Sequence, residues 1–340
     1  MITNPPPQRA LRAPLRPAAR VVADPDHQLF LARRLSARDR WIARLLYEHR
    51  VLTTHQLVEL AWPTRRAANQ RLLELYRWRV LDRFQPLLPL GTGRAPAHYV
   101  LDVAGATVLA AEDGIDPRET GYRHERAIAI AHSLRLAHTV AVNGLFTSLV
   151  AHARGPHPAG TLTAWWSETR CLRAFGDIAR PDAYGRWRPH DTDGEIEWFL
   201  ELDYGTEPLT RLALKIGDYH RLAAATGITT PVLIWFPSAQ REASARGALT
   251  AALDGLDQPA TVPVATTAAT LTPADPLDPT RTRWLPLPPA RAGRLAVGEL
   301  PRAWPHLPRP AASPARPAGT TPPGRGLRPP APMPPTPHEE

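Results

Sequence analysis

From Ser36 onward, apolar positions recur every three or four residues in three short runs. This is the spacing of helices with one buried face. Ser36 can cap the first, which carries Trp41, Leu45 and Leu46. Thr53 or Thr54 can cap the second, which carries Leu57, Val58 and Leu60. Pro63 ends the second, and Thr64 can cap the third, where Ala68, Leu72 and Leu75 share a face. The next stretch, "VLDRFQPLLPLGTGRAPAHYVLDVAG", has two apolar segments around a Gly/Pro turn, which predicts a β-hairpin. Three helices and a hairpin form the pattern of a winged helix-turn-helix.

A break at "EDGIDPRETG" (112–121) precedes a second block. Residues 122–155 are largely apolar and predict one long buried helix or two. His138 and Asn143 sit within that run, where a lone polar residue is more often a hydrogen-bonded core group than a catalytic one. "TLTAWWSETR", "DIARPDAYGRW" and "EIEWFLELDYGTE" read as strands. "EPLTRLALKIGDYHRLAAATG" reads as a helix that starts at Thr206 or Glu207, has Pro208 in its first turn and closes at Gly227. "TPVLIWFP" reads as a strand buried on both faces, and "QREASARGALTAALDGL" as a last helix. This order predicts an α/β domain, its mixed sheet flanked by helices.

The ends differ. Proline numbers 40 and crowds toward both termini. Residues 1–35 read as a flexible basic arm and 258–340 as a largely disordered Pro/Arg-rich tail. Within the tail, 283–300 is apolar enough to dock back onto the folded part. The expected domains are 36–111 and 122–257.

Charge changes the picture of partners. The net charge is +9, and the isoelectric point is near 10.5. This suits a polyanion, although arginine enrichment through coding bias would also raise it. Near its start the third helix presents Arg65, Arg66, Asn69 and Gln70, with Arg77 farther along. Guanidinium and amide groups there suit phosphates and base edges of double-stranded DNA. The alternatives are arginines that are merely solvated, and a winged helix used for protein contacts.

A single cysteine, Cys171, leaves no disulfide framework and no Cys-based zinc site within the chain. The basic N-terminus lacks the apolar stretch of a secretory signal, and no run approaches the ~20 apolar residues of a membrane span. The expectation is a cytoplasmic protein without a membrane partner.

Of 41 Lys and Arg residues, only Lys215 is lysine. Strand alternation puts Glu201 and Asp203 on one side of "EIEWFLELD", and Asp182 approaches Glu201 if its strand pairs there. Carboxylates gathered at one spot repel unless a cation intervenes, and Mg²⁺ is the usual solution. Lys215, on the next helix, can lean toward them. Alternatively, the lone lysine is chance and only pairs with Asp203 or Asp182. Glu168 and His138 are further candidates for the same cleft.

The residues "RPD…ELDYGTE…LKIGDYHRL" resemble the actinobacterial replication-relaxation family. The resemblance covers about residues 36–257. It implies a winged helix followed by a domain similar to the PD-(D/E)xK nuclease superfamily. It further implies Asp182 and Glu201 as Mg²⁺ ligands. The superfamily's lysine slot holds Asp203 here, an auxiliary carboxylate. Lys215 is then the only lysine available to activate water, and Tyr219, one turn on, either binds phosphate or packs. The implied function is DNA binding in replication or relaxation of a plasmid or mobile element. It comes with a metal-dependent nuclease-like domain and with other replication or transfer proteins of the element as partners. The competing expectation is a non-catalytic DNA-binding regulator or accessory on a degenerate nuclease fold.

Overall fold

The computed structural model describes residues 25–87, 93–191, 194–271, 281–290, 292–310 and 326–335. Among these, one compact unit holds 25–143 with 326–335, and a second holds 144–310. The division falls inside a helix, and the 112–121 segment lies within the first unit.

In the first unit, helices α1 (Pro25–Arg34), α2 (Ala37–His49), α3 (Thr54–Ala61) and α4 (Arg65–Arg77) precede a small sheet. Local chemistry sets their starts. The Ser36 hydroxyl accepts from Asp39 N, and the Asp39 carboxylate accepts from Ser36 N at 2.8 Å. Thr53 and Gln56 repeat this reciprocal cap on α3, and Thr64 caps α4. Each such cap contributes ~1 kcal/mol. Ile42, Leu45, Leu57, Leu60, Ala68, Leu72 and Leu75 are fully buried.

Strand β1 (Leu52–Thr53) and the hairpin of β2 (Leu81–Phe84) and β3 (His98–Leu101) make an antiparallel sheet of order β1-β3-β2. Residues 88–92, in the loop of the expected hairpin, lie outside the described residues. Helix α5 (Val103–Asp113) closes at Gly114, whose φ of 68° permits the left-handed cap. The run 122–155 is broken, with α6 (His124–Ile128) and a 3₁₀ turn preceding α7 (Leu136–Ala153). Asn143 behaves as a core residue, its amide donating to the carbonyls of His49 and Val51 at 3.2 and 2.8 Å.

The second unit begins within α7. Its strands are β4 (Gly160–Ser167), β5 (Ala183–Pro189), β6 (Ile196–Leu202), β7 (Val232–Phe236), β8 (Val264–Ala268) and β9 (Leu285–Pro286). Its other helices are α8 (Glu168–Phe175), α9 (Leu209–Thr226) and α10 (Ala239–Asp254). The six strands form one mixed sheet in the order β4-β5-β6-β7-β8-β9. β4, β5 and β6 run antiparallel, β6, β7 and β8 run parallel, and β9 returns antiparallel.

On one face, Tyr184, Phe199, Val232 and Ile234 pack with Leu212, Ile216 and Tyr219 of α9 and Leu249 of α10. On the other, Phe146 of α7 stacks on Trp165 at 5.2 Å and on Trp198 at 6.3 Å. Gly185 makes room for that stack, since a Cβ there would lie 2.5 Å from the Trp198 ring and 2.8 Å from Phe146.

Three expectations are corrected. Residues 25–34 of the expected arm form α1, which buries Leu31 against the first unit; residues 1–24 lie outside the described residues. "SETRCLRAF" continues β4 into α8, because Ser167 caps a helix there through Arg170 N. The folded chain also runs past residue 257. "VATTA" is β8, buried throughout, with the Thr266 hydroxyl bonded to Glu242. The 283–300 patch does dock. Trp284, Leu287, Leu295 and Leu300 are buried, and the Arg283 guanidinium lies over Trp235 at 4.4 Å. Residues 311–325 and 336–340 of the expected tail lie outside the described residues.

Candidate functional site

The antiparallel pairing of β5 with β6 aligns Ala183 with Leu200 and Tyr184 with Phe199. Asp182, just before β5, follows the same alternation and stands beside Glu201. Asp182 N donates to Leu200 O at 3.0 Å, and its carboxylate accepts from Leu202 N at 2.9 Å. The hairpin thus fixes the acid by main-chain bonds at both ends. Asp182 and Glu201 are both buried, at 8% and 2% exposure.

Helix α9 crosses this face and brings two more groups. Lys215 Nζ donates to Glu201 Oε2 at 2.6 Å, and the Tyr219 hydroxyl donates to Glu201 Oε1 at 2.5 Å. Four residues apart, they project from the same side of the helix. The Tyr219 ring lies 5.4 Å from that of Phe199, which holds the phenol in place. Burial pushes the Glu201 carboxyl up to about 7, against the pull of Lys215, with Asp182 adding to the rise. The ammonium of Lys215 is also shifted upward. Glu201 holds Lys215 well above the ordinary lysine range, burial opposes this, and Asp182 reinforces it. The phenol of Tyr219 is raised by burial and by Glu201.

Asp203 does not join them. It lies one residue beyond β6, where its carboxylate accepts from Arg241 Nε at 2.7 Å and from Gly205 N at 2.7 Å. The expected trio of carboxylates is therefore a pair, Asp182 and Glu201. Lys215 pairs with Glu201, the neighbour to which the geometry gives it access. Among the described residues, no group of three or more His, Cys, Asp and Glu side chains could hold a metal ion.

Sequence reading missed Arg241, at the start of α10, and a second carboxylate cluster on the same face. There Glu197 accepts from the Tyr184 hydroxyl at 2.5 Å and from Thr230 at 2.7 Å, with Arg186 at 3.1 Å. A capping serine, Ser238, just after a buried strand is the signal that could have found Arg241.

In the first unit, α4 buries Ala68, Leu72 and Leu75 and exposes Arg65, Arg66, Asn69, Gln70 and Arg77. No single helix among the described residues is long and apolar enough to cross a membrane.

A helix-rich unit with a small sheet, joined to a mixed sheet, defines an α/β protein with a carboxylate–ammonium–phenol cluster between β6 and α9. The sequence matches the family described as replication-relaxation over residues 44–237, more than half of its length, and the chain belongs to that family. No curated protein matches it.

Proposed function

We propose that this is a DNA-binding protein acting in the replication or relaxation of a mobile element. In this reading the first unit is a winged helix that engages duplex DNA through α4. The second is a nuclease-like unit whose Asp182, Glu201 and Lys215 act on a phosphodiester. The observation that carries the second part is the position of the only lysine, 2.6 Å from Glu201 on the face that also holds Asp182.

The donor set fits Mg²⁺. Mg²⁺ keeps several waters and needs only one or two carboxylates from the protein, the rest coming from substrate phosphate. Asp182 and Glu201 would hold it, and when bound it would polarise a phosphoryl oxygen and acidify water. The residues themselves supply the rest. Lys215 presents a permanent compact charge to a phosphate oxygen. A guanidinium, being bulky and planar, would not replace it in this space. Tyr219 orients the Glu201 carboxylate. On α4, Arg65, Arg66 and Arg77 suit phosphates, while Asn69 and Gln70 suit base edges.

A second reading is favoured by one observation. Both Glu201 oxygens are engaged and Asp203 is tied to Arg241. On that view the cluster is an inert structural pair and the protein a DNA-binding accessory.

Supercoiled plasmid incubated with the protein and Mg²⁺ or Mn²⁺ separates the two. The nuclease reading expects nicked or linear product from the wild type and none from Asp182→Ala or Lys215→Ala. A wild type that binds DNA but yields no metal-dependent product leaves the accessory reading.

A further inference from the structure

The C-terminal segment 326–335, "GLRPPAPMPP", is half proline and forms no helix or strand, yet the first unit holds it at specific atoms. Gly326, at φ 130°, turns the chain beside Tyr47. Leu327 is buried. Arg328 donates from N and Nε to the two oxygens of Asp113 at 2.7 and 2.6 Å, and from Nη2 to Glu112 O at 2.7 Å. Arg44 of α2 donates to Arg328 O at 3.2 Å, and the Trp41 indole donates to Ala331 O at 2.8 Å.

Asp113 is the last residue of α5, where the helix dipole disfavours an anion. Two guanidinium groups offset this, those of Arg44 and Arg328. Arg44 and Asp113 also pair with each other at 2.8 Å across α2 and α5, so the groups that meet the segment are tied together within the helices themselves. A proline-rich segment is pre-extended and loses little entropy on docking. An indole N–H aimed at a carbonyl of such a segment, with an acid set for a neighbouring arginine, is a recurring way to read it.

We propose that the α2–α5 face is a recognition groove for an arginine-bearing polyproline peptide, filled in this chain by its own residues 326–335. The groove reads the arginine with Asp113 and the main chain with Trp41 and Arg44. The segment is a separable ligand and not an element on which the fold depends.

Fluorescence anisotropy with a labelled peptide of residues 326–335 tests this on the full-length chain. In the wild type the groove is occupied. Arg328→Ala in the chain loosens its own segment, so this variant should bind the wild-type peptide about tenfold more tightly than the wild type does, a difference of ~1.4 kcal/mol. A peptide carrying Arg328→Ala should bind neither. Adding Trp41→Phe to the Arg328→Ala chain keeps the ring but removes the donor and should weaken binding again. Circular dichroism establishes that each variant is folded. Exchange of segments between copies, seen as concentration-dependent dimers that Arg328→Ala abolishes, also supports the groove. Equal affinity of wild type and Arg328→Ala, absence of saturable binding to both, or indifference to the peptide's arginine overturns it.

Discussion

The Lys215 ammonium lies 2.6 Å from Glu201 Oε2, and the Glu201 side chain is almost wholly buried while that of Lys215 is one-third exposed. This asymmetry governs the consequences of breaking the pair. At about pH 8, where the Glu201 carboxyl is mostly ionised, removing the lysine leaves a buried carboxylate without its cation or forces it to take up a proton, whereas removing the carboxylate leaves a cation that can turn toward water.

Lys215→Met is therefore expected to destabilise the protein more than Glu201→Gln. With the lysine partly screened by solvent, the cost is about 1–3 kcal/mol, below that of a fully buried pair. Urea unfolding of both single variants and the double variant gives the coupling, expected at about 1–2 kcal/mol. Additive effects would show that the two groups do not depend on each other.

Stability should fall as pH rises across roughly 4.5 to 7. The unfolded Glu201 carboxyl ionises at its ordinary value near 4.5, while burial pushes the folded one up to about 7. Between those values the native state holds a proton that the unfolded state has lost, so raising the pH favours unfolding. Lys215 stays charged throughout, its own titration lying far above this window. Glu201→Gln removes this contribution to the slope and leaves those of other groups held above their ordinary values, such as Asp102 and His124. Unfolding free energies measured across the window should converge for wild type and variant at its acid end. Parallel curves would contradict the assignment.

If α4 engages DNA, Arg66→Ala with Gln70→Ala should weaken duplex binding about 10- to 100-fold, and loss of the arginine should lower the salt dependence by about one counterion. Both side chains are exposed, so stability should change by no more than about 0.5 kcal/mol. Gel shifts at several salt concentrations read both quantities. Unchanged affinity would move the DNA contact off this helix.

Gly185→Ala tests the aromatic stack. The added methyl would meet the Trp198 and Phe146 rings from 2.5 to 2.8 Å away, and the sheet strand gives it no other direction. Overpacking of this kind costs about 1–3 kcal/mol. A thermal midpoint equal to the wild type would mean that α7 can shift freely off the sheet.

What the sequence made legible follows from signal strength. The caps at Ser36, Thr53 and Thr64 are local, because a hydroxyl and an amide three residues on are enough to define them. The approach of Asp182 to Glu201 was readable from alternation and one hairpin, and Lys215 stood out by being the sole lysine. Strand β8 was not readable. "VATTA" has weak apolar periodicity, sits after Pro263 and resembles the proline- and threonine-rich sequence around it. Its place comes from partners on β7 and α10, and no local pattern encodes those. Asp203 misled for a related reason. Alternation placed it beside Glu201, but the strand ends at Leu202 and Arg241, 38 residues away, claims the carboxylate.

The spatial order of strands in the larger sheet is also the order of their synthesis. Each strand leaving the ribosome finds its hydrogen-bonding neighbour already made, so the sheet can grow from a single edge without waiting for a distant segment. During that growth one advancing edge stays open, and open edges invite pairing with other chains. Until Leu285 and Pro286 emerge, that edge is β8, whose five residues are mostly alanine and threonine and offer a stray strand little apolar surface to grip.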